Sequence, residues 1–143
     1  MTPYRHIVQY YETDRMGIVH HSNYIRWMEE ARVDFLERIG FSYAAMEQRG
    51  VVSPVRALQC QYRRSCTFGD AVDIAVSIRD FNGVVLTIGY DMRSSATNEQ
   101  VCAASSEHVF LNREGGFIRM KRDMPDFCDA IERLRREQGE SNG

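Results

Sequence analysis

The spacing of apolar residues changes along the chain, from a helical period in the first third to a strand period after Pro54. Residues 22–39 carry apolar side chains at intervals of three and four, namely Tyr24, Met28, Ala31, Phe35 and Ile39. Such a stripe is typical of a helix that buries one face. Ser22 can cap its start and Gly40 suits the position just past its end. We therefore predict a long helix over residues 22–39.

Beyond Pro54, apolar and polar residues alternate, as they do in strands with one buried face. The predicted strands cover residues 4–10, 58–63, 72–79, 86–93 and 101–111. Asn82-Gly83 separates two of them and predicts a hairpin turn. Shorter helices are expected at residues 43–49 and from Pro125 onward.

The order of these elements is strand, long helix, then four strands, which we expect to be antiparallel and to form a meander. This order predicts an α+β fold with one curved antiparallel sheet of about five strands and one helix to cover it. A length of 143 residues suits a single domain over residues 1–143. The polar residues 138–143 are expected to form a frayed tail.

Composition excludes several classes of protein. A formal net charge of −2 argues against a nucleic-acid-binding protein, which would show a basic excess. No apolar run approaches the roughly 18 residues of a membrane span, and the first residues lack the apolar core of a signal peptide. We expect a cytoplasmic protein. The scattered cysteines are expected to be reduced, small apolar residues: Cys60, Cys66, Cys102 and Cys128.

The densest group of chemically useful side chains lies in residues 10–24. A carboxylate, Asp14, precedes a turn glycine, Gly17, and then the predicted helix start. A carboxylate can act as a base or nucleophile, and the first N–H groups of a helix lack intrahelical partners and can stabilise an oxyanion. The segment therefore suits attack on a carbonyl. For Asp14 taken alone, a turn residue is the competing interpretation.

A metal site is an alternative interpretation of this segment, with His6, Asp14, His20 and His21 as its ligands. Adjacent histidines rarely converge on one ion, and the chain offers no helical pair of ligands four residues apart. We therefore expect no metal and no cofactor.

The segment resembles the signature of small bacterial acyl-CoA thioesterases of the 4-hydroxybenzoyl-CoA thioesterase type, including the Tol-Pal-associated branch. It reads Tyr10-x-Glu12-Thr13-Asp14-x-x-Gly17-Ile18-Val19-x-His21-x-Asn23-Tyr24, followed by Glu29-x-Ala31-Arg32. The resemblance implies a hot-dog fold, in which an antiparallel sheet wraps one long central helix. It also implies dimers with active sites at the subunit interface, often paired into tetramers.

Carried over residue by residue, the resemblance implies a thioester hydrolase acting on acyl-CoA, with CoA as part of the substrate. Asp14 is then the catalytic carboxylate and Gly17 the turn glycine. His21 provides the backbone N–H that polarises the thioester carbonyl. Tyr10 is a further catalytic candidate through its hydroxyl, although a strand core residue is the alternative interpretation.

Candidates for substrate binding lie farther along the chain. Tyr24 and Met28 could line the acyl site, although their helical spacing also suits core packing. Some family members hold the CoA phosphates with a basic run in the central hairpin, but here that turn is Asp80-Phe81-Asn82-Gly83. The first basic candidates are therefore Arg119, Lys121 and Arg122, and the second are Arg63 and Arg64. A solvated surface run is the alternative for these cations.

Two other functions remain open. One is an acyl-carrier-protein thioesterase on the same fold. The other is a non-catalytic module that binds acyl chains or a protein partner. A hydratase would need a separate acid–base pair on the helix, for which the sequence shows no motif. The acyl group is not identified by the sequence.

A homo-oligomer is expected because a single open sheet leaves edge strands that can pair between subunits, and the resemblance implies a dimer or a tetramer. Analytical ultracentrifugation at micromolar concentration should give a dimer or a larger species. A monomer under those conditions would contradict the expectation.

Overall fold

The computed structural model describes residues 1–142, which form five strands, four α-helices and one 3-10 turn. The strands are β1 (Tyr4–Ile7), β2 (Val55–Tyr62), β3 (Ala71–Phe81), β4 (Val85–Ser94) and β5 (Gln100–Val109). The helices are α1 (Ser22–Arg38), α2 (Tyr43–Gln48), α3 (Met120–Asp123) and α4 (Pro125–Asn142), and the 3-10 turn is Tyr10–Glu12. Within this described part of the chain, every helix is too short or too polar to cross a membrane.

The five strands form one antiparallel sheet in the order β1-β3-β4-β5-β2, which confirms the α+β prediction. β1 pairs with β3, with Tyr4 opposite Ile74. The expected four-strand meander is wrong for β2, which lies beside β5 at the far edge. The connection from β2 to β3 explains the difference, because its residue Thr67 bridges to Ile18 instead of closing a hairpin.

The alternation predicted for the strands holds in β3 and β4 and fails in β2. The alternating apolar positions of β3 and β4 are buried at Val72, Ile74, Ile78, Leu86, Ile88, Tyr90 and Met92, whereas Val76 is half-buried. In β2, Leu58 is 43% exposed and Tyr62 is 48% exposed, and Cys60 is half-buried. The expectation of a buried face on β2 is therefore wrong for the isolated chain, because β2 is an edge strand.

The described residues group into two compact units, and the single-domain expectation stays a prediction. The first unit comprises Met1–Phe35, Gln59–Val76 and Tyr90–Ser105. Its core is the predicted stripe of α1, in which Tyr24, Met28, Ala31 and Phe35 are at most 3% exposed. Trp27 joins this face, and its ring lies 4.5 Å from the His6 ring on β1. The helix ends at Arg38, one residue before the predicted end, and Gly40 follows with a φ of +88°.

The second unit comprises Leu36–Leu58, Ser77–Gly89 and Ser106–Gly143, and its core is an aromatic cluster. The fully buried Phe127 ring of α4 lies 5.2 Å from Phe41, 5.4 Å from Phe110 and 5.9 Å from Phe81. These edge-on contacts anchor α4.

The C-terminal residues differ from expectation. α4 continues to Asn142, so the tail expected to fray from Gln138 is helical up to that residue, and Gly143 lies outside the described residues. Gln138 explains the extension, because its side chain accepts from the Ile78 N–H and donates to the Ile78 carbonyl, both at 2.9 Å. The Gln138 side-chain amide thus forms hydrogen bonds with the protein in place of water, which holds this polar segment in the helix.

Phe127→Ala is expected to lower the free energy of unfolding by about 3–5 kcal/mol, because it empties the centre of the aromatic cluster. Equilibrium denaturation in urea measures the change. Phe117→Ala is the matched control, since that side chain is 72% exposed and its loss should cost less than about 0.5 kcal/mol. Equal losses in the two variants would contradict this account of the core.

Candidate active site

Asp14 opens a tight turn that ends at Gly17. The Gly17 N–H donates to the Asp14 carbonyl at 2.9 Å, and the Asp14 N–H donates to the Ile18 carbonyl at 2.8 Å. Gly17 has a φ of +78°, a left-handed conformation that favours glycine. The Met16 N–H donates to Asp14 Oδ1 at 2.8 Å. Asp14 is therefore a turn residue. Within residues 1–142, no donor forms a hydrogen bond with its Oδ2 atom.

The turn is fastened to the segment that follows β2. Thr67 donates its hydroxyl to the Gly17 carbonyl at 3.0 Å, and the Val19 N–H donates to the Cys66 carbonyl at 2.8 Å. Together with the bridge between Ile18 and Thr67, these bonds hold the turn residues in one position.

A buried polar network supports the turn from its N-terminal side. Glu12 is 3% exposed, and its carboxylate accepts from the Gln9 N–H at 2.8 Å and from Trp27 Nε1 at 2.7 Å. His6 Nε2 lies 2.8 Å from the same carboxylate, and His6 Nδ1 lies 2.9 Å from Glu30 Oε2. The network thereby ties β1 and α1 to the 3-10 turn that precedes Asp14.

Glu12 is charged in this setting. Burial by itself raises the pKa of its carboxyl group, but the donors from Gln9, Trp27 and His6 outweigh burial and bring the pKa below its ordinary value of 4.5. The sequence analysis did not assign Glu12 this supporting role. The Gln9-x-x-Glu12 spacing, a capping-box pattern at the start of a helical turn, was the available signal.

The start of α1 leaves one backbone donor unused. The Asn23 side chain, 8% exposed, donates to the carbonyls of Glu12 at 2.9 Å and His20 at 3.2 Å. The His20 N–H donates to the Glu12 carbonyl at 2.9 Å. His21, expected in the first turn, lies directly before Ser22, and within residues 1–142 its N–H has no acceptor.

Asp14 and His21 line the same cavity, which has a volume of about 330 Å³. Its other lining residues are Met16, Ile18, Val19, Tyr24, Tyr62, Arg63, Arg64 and Ser65. The Tyr62 hydroxyl donates to the His21 carbonyl at 3.4 Å. Burial raises the pKa of Tyr24 and of Tyr62, so both hydroxyls stay protonated at neutral pH. The residues that line the cavity thus include a carboxylate residue, two tyrosines and the residue whose backbone N–H has no acceptor within residues 1–142.

Two other candidates lie outside this cavity. Tyr10 is 76% exposed, and its ring packs edge-on against Phe68 at 5.9 Å. Met28 is buried in the core, where its sulfur accepts from the Cys60 thiol at 3.6 Å. Neither side chain lines the cavity that holds Asp14, and Met28 has the packing role that helical spacing favoured.

The basic candidates are divided in the same way. Arg119, Lys121 and Arg122 are exposed residues of the second unit, and Arg122 pairs with Asp123 at 2.9 Å. The second choice, Arg63 and Arg64, lines the cavity with Asp14. Over residues 1–142, the histidines, cysteines and carboxylates form no cluster of three or more placed to hold a metal ion.

Known proteins resemble this chain over most of its length. The family model described as “Thioesterase-like superfamily” matches residues 8–132. “Putative acyl-CoA thioesterase YneP” of Bacillus subtilis (strain 168) is 35% identical over 130 residues, which cover 90% of this chain and 94% of that protein. “Putative esterase” of Aquifex aeolicus (strain VF5) is 38% identical over 111 residues, covering 74% and 87%. The solved structure of DHNA-CoA thioesterase from Staphylococcus aureus has a TM-score of 0.89 at 29% identity, covering 96% and 93%.

Glu12→Gln is expected to lower the free energy of unfolding at neutral pH by about 1–3 kcal/mol, because bonds to a buried charged acceptor are lost. The pKa of Glu12 is lowered in the folded protein. Its contribution is therefore complete above the unfolded-state pKa and is lost as pH falls through the folded-state pKa. Between about pH 7 and pH 3, urea denaturation should show a smaller loss of stability in the variant than in the wild type.

Glu29→Gln is the matched control for this experiment. The Glu29 side chain is 68% exposed and lies 3.7 Å from Arg32, an arrangement worth less than about 1 kcal/mol. A Glu12→Gln protein as stable as the wild type at neutral pH would contradict the supporting role of Glu12.

Proposed function

Since the chain belongs to the thioesterase-like superfamily and is a thioester hydrolase, we propose that it hydrolyses acyl-CoA to a free acid and CoA, with Asp14 as the catalytic carboxylate. The single observation that carries the proposal is that Asp14 and His21 line one cavity, and the His21 N–H has no acceptor within residues 1–142. The names of the B. subtilis and S. aureus proteins support CoA as the carrier. The two names differ in the acyl group, so the proposal leaves the acyl group unspecified.

The family match and the S. aureus structure confirm the hot-dog fold that the sequence resemblance implied. Assignment to the 4-hydroxybenzoyl-CoA thioesterase type, and within it to the Tol-Pal-associated branch, is part of the proposal. It is supported by the signature in residues 10–24.

Asp14 acts on the thioester carbonyl by one of two routes. As a general base, it takes a proton from water while the water oxygen attacks the carbonyl carbon. As a nucleophile, its own oxygen attacks and forms an acyl–aspartyl anhydride, which water then cleaves. In both routes the carbon–sulfur bond breaks and the CoA thiolate leaves, to be protonated as the thiol. Asp14 Oδ2, the oxygen that accepts no hydrogen bond from the Met16 N–H, serves either role.

The oxyanion formed in either route needs a hydrogen-bond donor. The His21 N–H lies at the N-terminus of α1, where the helix carries partial positive charge. Because Asn23 and the Glu12 carbonyl already fix the neighbouring backbone, the donor is held in place before substrate binds. A donor positioned in advance stabilises the transition state without reorganisation during the reaction.

The exposed edge strand β2 supports a homo-oligomer. Its apolar side chains Val55, Leu58 and Tyr62 are 44%, 43% and 48% exposed, an arrangement that favours pairing with another chain. Because Tyr62 also lines the Asp14 cavity, a subunit covering this edge would lie next to the proposed site.

The cysteines support a reducing, cytoplasmic location. All four are free, and burial raises the pKa of each thiol, to about 12 for Cys102. Protonated thiols are poor nucleophiles, which agrees with the role of small apolar residues expected for these cysteines.

Asp14→Asn is expected to lower kcat for CoA release by about 100- to 10,000-fold, because the amide can replace the turn acceptor but is neither a base nor a nucleophile. Release of free thiol from acyl-CoA measures the rate. Asp73→Asn is the matched control, because Asp73 pairs with Arg5 at 2.8 Å outside the cavity, and its activity should stay near that of the wild type. A folded Asp14→Asn protein with wild-type activity would overturn the assignment.

A further inference from the structure

Arg63, Arg64 and Ser65 line two cavities of the first unit. One is the cavity of Asp14, and the other has a volume of about 570 Å³. Asp70, Glu99 and Val101 also line this second cavity. Three consecutive residues that line both cavities make them neighbours along this segment.

We propose that Arg63 and Arg64 bind the phosphate groups of CoA and that the second cavity takes the nucleotide end of the carrier. The identity of the carrier rests on the proposed function. A thioester held at Asp14 has its acyl group and its nucleotide on opposite sides of the sulfur. The carrier must therefore leave the Asp14 cavity, and the arginine pair lies where that cavity meets the next one.

The backbone of the arginine pair is fixed while its side chains stay accessible. The N–H groups of Arg63 and Arg64 both donate to the Val101 carbonyl, at 2.9 and 3.2 Å. Arg63 Nη2 donates to the neutral Gln61 side chain at 2.7 Å, which leaves its charge uncompensated by that partner. A guanidinium group binds phosphate through two parallel donors, which suits this position to an anionic ligand.

Two carboxylates also line the second cavity, and both are engaged. Asp70 Oδ2 accepts from the Thr67 N–H at 2.9 Å. Glu99 Oε2 lies 3.2 Å from Arg64 Nε, with side chains 50% and 61% exposed. An exposed pair of this kind is weak because water screens both charges, so a phosphate can displace Glu99 from Arg64. Glu99 is then a competitor for the ligand's site.

The other basic cluster is less suited to this role. Arg119, Lys121 and Arg122 line neither cavity. Arg122 is held by two contacts to the Asp123 carboxylate, at 2.9 and 3.3 Å, whereas Arg64 has a single 3.2 Å contact with Glu99. Arg63 and Arg64, the second candidates from the sequence, are therefore better placed to bind phosphate than Arg119, Lys121 and Arg122.

The test compares one acyl group on CoA and on pantetheine, which carries no phosphate. The Arg63→Gln/Arg64→Gln double variant should raise KM for acyl-CoA by about 10- to 100-fold, because two charge-assisted contacts are lost. Its kcat/KM for acyl-pantetheine should fall several-fold less than its kcat/KM for acyl-CoA. An unchanged KM for acyl-CoA, or an equal loss on both substrates, would overturn the proposal.

Glu99→Gln provides a test of opposite sign. Removing the competitor should lower KM for acyl-CoA by about two- to fivefold and leave acyl-pantetheine unaffected. An increase in KM for acyl-CoA would contradict the role given to Glu99.

The Arg119→Gln/Arg122→Gln double variant is the matched control and should keep wild-type KM for both substrates. A rise in its KM for acyl-CoA would place the phosphates at that cluster instead. An effect of the Arg63/Arg64 variant on acyl-carrier protein but not on acyl-CoA would also overturn the inference. Wild-type inactivity on both CoA and pantetheine esters would refute the proposed function itself, which separates the two failures.

Discussion

The carboxylate of Glu12 is buried, and the arrangement of the catalytic segment depends on the hydrogen bonds that this burial requires. A charged group out of water is costly unless donors surround it. Here they come from the backbone of the 3-10 turn, from Trp27 on α1 and from His6 on β1. Satisfying one carboxylate therefore fixes three elements relative to each other.

The backbone carbonyl of Glu12 also fixes the other end of the loop, next to the start of α1. The Glu12 carbonyl accepts from the His20 N–H and from the Asn23 side chain. Asp14 lies two residues after Glu12, and His21 lies directly before α1, so both ends of the proposed catalytic loop are tied to one residue. Such support from residues that do not touch substrate is what holds a catalytic group and an oxyanion donor in a productive geometry.

The end of β2 connects the proposed catalytic site to the proposed carrier-binding site. Tyr62, the last residue of the strand, contacts the His21 carbonyl, and Arg63 and Arg64 follow it directly. The Val101 carbonyl on β5 holds the backbone of both arginines. An edge strand that is exposed along its length thus ends in the residues proposed to bind the polar part of the substrate.

Local patterns in the sequence determined the parts of the structure that depend on neighbouring residues. The stripe on α1 predicted that helix to within one residue, and the alternation in β3 and β4 identified their buried positions. The motif around Asp14 and Gly17 also predicted a turn, because the left-handed glycine and the hydrogen-bonding carboxylate act within four residues. Periodicity and turn chemistry are local properties, so they can be read without the fold.

Only the tertiary structure decided which distant residues meet. The position of β2 beside β5, and with it the exposure of Leu58, follows from long-range strand pairing. The same pairing brings Arg63 and Arg64 to the cavity of Asp14, while Tyr10 turns out to lie against Phe68. Helical spacing placed Tyr24 and Met28 on one face, yet only Tyr24 lines the cavity. The spacing of residues along the chain determines which face of a helix or strand a side chain lies on. The residues that it contacts there come from distant segments, and local spacing does not determine how those segments pair.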